Sequence, residues 1–70
     1  MPTIEINPDE TELKILEYSA QGLKAREIAP LLNVSLREVE DTLKRLRIQF
    51  GALNKVQLVL SAYKSGVIPD

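Results

Sequence analysis

Cysteine and histidine are both missing from this 70-residue chain. Without cysteine there is no disulfide staple, and without either residue the usual structural zinc sites are excluded. The same absence removes the commonest general base and the thiol nucleophile of enzymes. Glycine occurs only three times and forms no phosphate-cradling loop. No stretch approaches the roughly 18 consecutive apolar residues of a membrane span, and the N-terminus lacks the basic-then-apolar pattern of a secretory signal. These absences point to a non-enzyme with no cofactor, no metal and no membrane partner. A cysteine-free chain also fits a reducing, cytoplasmic setting. Seventy residues allow one domain, and one this small buries a modest share of its surface. With staples and metals excluded, self-association is the remaining common route to a stable fold.

Net charge is −1 and the isoelectric point is about 5.4, which alone disfavours binding to phosphates. The distribution is uneven. Glu5, Asp9, Glu10, Glu12 and Glu17 crowd the first twenty residues against Lys14 alone. Lys24, Arg26, Arg37, Lys44, Arg45 and Arg47 then outnumber the acids of residues 21–50, and Lys55 and Lys64 follow.

Helix boundaries are well punctuated. Asn7-Pro8-Asp9-Glu10, Ser35-Leu36-Arg37-Glu38 and Asn54-Lys55-Val56-Gln57 each read as a capping box, a polar residue answered by Glu or Gln three places on. Gly22, Gly51 and Gly66 stand where helices should end. The pattern predicts a first helix over about 8–21, a second over about 25–32, a third over about 36–49 and a fourth over about 55–65. Asn33 suits a left-handed turn between the second and third. Pro30 falls inside the second helix, so a kinked or shortened helix is expected there. Leu36, Val39, Leu43, Leu46 and Phe50 make one apolar stripe on the third helix. Leu16, Ile28, Leu32, Val39, Leu43, Leu46, Val59 and Tyr63 are the expected core. On the fourth helix Val56, Leu58, Val59, Leu60, Ala62 and Tyr63 wrap most of the way round, which implies two partners. Leu58 and Ala62, four apart and off the Val56-Val59-Leu60-Tyr63 face, are read as the dimer surface.

Ile15-Leu16, Gln21-Gly22-Leu23, Glu27-Ile28-Ala29, Leu32, Val34-Ser35, Val39, Leu43, Phe50-Gly51, Asn54, Gln57, Val59, Ala62, Gly66 and Ile68-Pro69 occur in an order and spacing that resembles the LuxR/FixJ/GerE helix-turn-helix domain. The resemblance runs without gaps from Leu13 to Pro69. It implies an all-α, four-helix fold in which residues 1–7 form an N-terminal extension, the helix-turn-helix covers about 24–50 and helix 4 about 54–66. It also implies a bacterial cytoplasmic transcription regulator that binds double-stranded DNA as a homodimer, with helix 3 in the major groove and helix 4 at the two-fold contact. Relatives commonly carry a sensing domain ahead of this one. With Met1 so close, the chain is expected to be a free-standing member or else a fragment.

The expected DNA-binding residues are Lys24, Arg26, Ser35, Arg37, Glu40, Asp41, Lys44, Arg45 and Lys55, with Thr42 a further groove contact. Arginine can read guanine, Lys and Arg neutralise phosphate, and an acid can accept from cytosine. The chain departs from the family in the acids. The family's usual Thr-Val-Lys is Glu38-Val39-Glu40, and Asp41 follows. On residues alone the third helix also reads as a solvated face carrying Glu40–Lys44 and Asp41–Arg45 pairs. The alternative function is therefore a degenerate helix-turn-helix that docks on a protein partner, a related regulator or RNA polymerase, with weak or no DNA binding.

Overall fold

A computed structural model describes residues 8–69 of the chain. Four helices make up its regular structure: α1 (Glu10–Ala20), α2 (Ala25–Leu32), α3 (Leu36–Phe50) and α4 (Lys55–Lys64). No strand occurs among the described residues. The all-α, four-helix expectation holds.

The caps explain the boundaries. The first helix begins two residues later than the Asn7 box predicted; Asn7 and the rest of the 1–7 extension lie outside the described residues. Asp9 is the cap instead. Its carboxylate accepts the Glu12 N–H at 2.8 Å, and the Glu12 carboxylate accepts the Asp9 N–H at 2.9 Å. A true box therefore exists, shifted by two. Ser35 Oγ accepts the Glu38 N–H at 3.0 Å, and Asn54 Oδ1 accepts the Gln57 N–H at 2.9 Å. The Gln57 side chain reaches one residue further back than expected, to the Leu53 N–H at 2.8 Å. α2 has only eight residues and ends two past Pro30, as befits a helix with a proline in its last turn. α3 closes on Gly51, whose φ of +67° lets the Ala52 N–H return to the Arg47 carbonyl at 2.8 Å.

Two apolar clusters lie between the helices. Ile15, Ile28, Ala29 and Val39 pack under the α2–α3 pair. Leu16, Leu46, Leu58, Ala62 and Ile68 pack under α4. Leu43 lies against both. Each fully buried Leu, Ile or Val contributes about 1.5–3 kcal/mol relative to exposure. Of the expected core, Leu16, Ile28, Val39 and Leu46 are fully buried, while Leu32, Leu43, Val59 and Tyr63 line its margins. Leu36, the first residue of the α3 stripe, is exposed.

α4 requires a correction. Leu58 and Ala62 are completely buried against Leu16 and Leu46 and offer nothing to a second copy. Val56 and Leu60, grouped from sequence with Val59 and Tyr63 on the face away from the dimer surface, are 70% and 51% exposed. At 100° per residue the pairs Leu58/Ala62 and Val56/Leu60 project from opposite sides of the helix. Val59 and Tyr63 lie between the two, so they fit either orientation and misled the assignment.

Candidate nucleic-acid interface

The turn joining α2 to α3 is rigidly made. Asn33 adopts the left-handed conformation (φ 56°, ψ 43°) without being glycine, as its short amide permits. The Val34 N–H then reaches back to the Ala29 carbonyl at 3.1 Å, and Val34 packs on the cluster beneath the turn. Ser35 caps α3 through its oxygen, which leaves its hydroxyl hydrogen as the group able to donate outward. Short helix, left-handed residue, capped longer helix: this is a helix-turn-helix, and its angle is set by Ile28, Ala29 and Val39 packed together.

The exposed part of α3 divides by direction. On the side toward α4, Glu40, Lys44 and Arg47 line an open cleft of about 300 Å³ together with Leu43, Asn54, Lys55 and Leu58. Lys44, Arg47 and Lys55 form no ion pair among the described residues. Two are held by neutral carbonyls, which leave their charge intact. Lys55 Nζ donates to the Leu23 carbonyl, and Arg47 Nη1 donates to the Leu53 carbonyl at a long 3.4 Å. Three cations thus converge where α3 passes the start of α4. The Lys55 bond also sets that lysine beside the start of α2, at the carbonyl of Leu23, the residue before Lys24.

On the side toward α1 the charge is cancelled. Arg45 Nη2 donates to Glu12 Oε2 at 2.8 Å. That hydrogen bond, then the charges of Glu12, Asp9 and Asp41, hold the guanidinium above its ordinary pKa, against the opposing effect of desolvation. On the outward side Arg37 lies 3.8 Å from Asp41, both well exposed, a loose pair of little energetic weight.

Several sequence expectations find their place here. The structure gathers Lys44 and Lys55 with Glu40, and adds Arg47, which sequence reasoning passed over although it lies three residues from Lys44 and seven from Glu40 on the same side. Lys24 and Arg26 are exposed at the start of α2, where the Glu27 carboxylate accepts the Lys24 N–H at 2.8 Å. Arg37 and Asp41 face solvent. Thr42 is buried and is no groove contact. The expected Glu40–Lys44 and Asp41–Arg45 pairs do not form; Arg37–Asp41 and Arg45–Glu12 replace them. The long arginine stem reaches across to α1, whose carboxylate is already anchored, in preference to a neighbour on its own helix.

Fold and surface together define a helix-turn-helix domain with a cationic cleft beside the second helix of the motif. The sequence profile of the family described as "Bacterial regulatory proteins, luxR family" matches residues 10–62, from the start of α1 through most of α4. The chain belongs to that family, one of regulatory DNA-binding domains and not of enzymes. None of the curated proteins compared with the chain matches it.

Proposed function

We propose that this domain regulates transcription by binding double-stranded DNA, with α3 directed into the major groove and its C-terminal half, not its N-terminal end, carrying most of the phosphate contact. One observation carries the reading. Lys44, Arg47 and Lys55 meet in one cleft with no carboxylate bound to any of them. A phosphate placed there would displace counterions, the main source of affinity for a duplex. Lys24 and Arg26 extend the positive surface along α2, Ser35 donates at the turn, and Arg37 and Asp41 are left to meet base edges. Phosphate contacts position and base contacts specify. The domain acts in this reading as a bacterial, cytoplasmic non-enzyme.

The same proposal includes a homodimer, built on the outer face of α4. Val56 and Leu60 stand four apart on it, Leu53 lies just before the helix, and all three are more than half exposed. Such a row suits an isologous contact in which each copy presents the same face.

A second reading is favoured by the acids. Glu38, Glu40 and Asp41 are exposed on the first half of α3, and Arg37 and Arg45 are both paired. On this view the helix-turn-helix docks on a protein partner and has lost its hold on DNA. Fluorescence anisotropy with random-sequence duplex at 50 and 200 mM salt separates the two. The DNA reading expects saturable binding whose logarithm falls linearly with the logarithm of salt. Lys44→Ala with Lys55→Ala should lower that slope by about 1.8, at about 0.9 for each phosphate no longer neutralised. No binding at the lower salt refutes the DNA reading.

A further inference from the structure

Glu12 holds an unusual position for a helix-cap residue. One carboxylate oxygen accepts the Asp9 N–H and closes the cap of α1; the other accepts Arg45 from the middle of α3. Its side chain is only 15% exposed, against 55% for Arg45. The carboxylate is thus anchored from behind by the backbone, and the flexible arginine comes to it. Arg45 would otherwise join the positive charge of α3. In this arrangement the Glu12–Arg45 pair carries no net charge, and no counterion waits on it to be released.

We infer that Glu12 withholds Arg45 from nucleic acid, so that a residue of the first helix, outside the helix-turn-helix, sets how many cations the reading helix presents. The inference rests on the DNA-binding reading for its biological meaning, but the withheld charge is a property of the free protein. Glutamine at 12 keeps one side-chain oxygen able to close the α1 cap and puts an NH2 group where the second oxygen accepted Arg45, so both the charge and the acceptor that hold the arginine are removed. The gain on freeing Arg45 corresponds to one further phosphate contact. It steepens the salt slope by about 0.9, or about 3.5-fold in affinity over a fourfold change of salt.

The experiment uses two polyanions, heparin and a random-sequence duplex. Glu12→Gln should elute from heparin at higher salt than the wild type, and at higher salt than Glu10→Gln, a control that removes the same charge from the exposed first turn. Glu12→Gln with Arg45→Ala, which deletes the neutral pair whole, should elute with the wild type. Circular dichroism checks the helices of each variant. In the wild type itself, the NMR signals of the Arg45 guanidinium should stay in place as duplex is added while those of Lys44 move. Elution of Glu12→Gln together with Glu10→Gln overturns the inference. So does a gain that survives removal of Arg45, or an Arg45 signal that shifts with Lys44. A heparin shift with no duplex binding by any variant would refute the DNA reading and uphold the withholding of Arg45.

Discussion

Replacing Glu40 by lysine is the most informative single perturbation of the cleft. Glu40 is the one acid among its lining residues, facing Lys44, Arg47 and Lys55. It is exposed, so the change leaves the core untouched. In a water-like dielectric a unit charge roughly 6 Å from a phosphate is worth about 0.7 kcal/mol, and reversing its sign shifts binding by twice that, about 1.4 kcal/mol or tenfold. Salt near 0.1 M screens over a length of about 10 Å, so most of this effect survives at that separation. The salt slope should steepen by about 0.9 as the new lysine releases a counterion. Anisotropy titrations on random duplex at several salt concentrations measure both quantities. An affinity unchanged within twofold, at an unchanged slope, would mean that no phosphate comes near the cleft, and the reasoning fails. If Glu40→Lys instead abolished tight binding to one particular sequence while leaving random duplex unaffected, Glu40 would be a base-reading residue and not a repulsive one.

Three further predictions concern the fold and the dimer contact. Leu58→Ala should cost about 2–5 kcal/mol in urea denaturation, as expected for truncating a fully buried leucine, and Leu58→Glu should unfold the domain. Leu60→Glu, on the opposite face, should leave the helices intact and shift sedimentation from dimer to monomer; a dimer that survives it would remove α4 as the contact. Gly51→Ala should lower stability by about 1 kcal/mol through the left-handed backbone alone, because the space its methyl would enter is open; a destabilisation several times larger in thermal melts would contradict that.

Much of the fold was legible because local chemistry and tertiary need coincide. Ser35, Asn33 and Gly51 each suit one backbone conformation, and each adopts it. The stripe Val39, Leu43, Leu46 allowed a single inward face, which the structure uses. Legibility failed where the pattern was degenerate. Asn7-Pro8-Asp9-Glu10 and Asp9-Glu10-Thr11-Glu12 both satisfy the rule for a cap, and nothing local chooses between them. The described helix uses the second, in which Glu12 also takes an arginine. α4 is apolar on two sides, and only the position of Leu16 and Leu46 decides which is inner. The site was half legible. Lys44 and Lys55 declare themselves by charge, but the neutralisation of Arg45 depends on a residue 33 positions away, a separation no local pattern encodes.

In α1, Ile15 and Leu16 are adjacent in the chain, yet one serves the cluster beneath the α2–α3 pair and the other the cluster beneath α4. Their side chains leave the helix about 100° apart, so turning α1 by a single residue would pull one of them from its socket without giving the other a better one. The helix is therefore indexed about its own axis by two neighbouring teeth. The direction in which the backbone enters α1 from Pro8 is thereby tied to the packing of α2, α3 and α4.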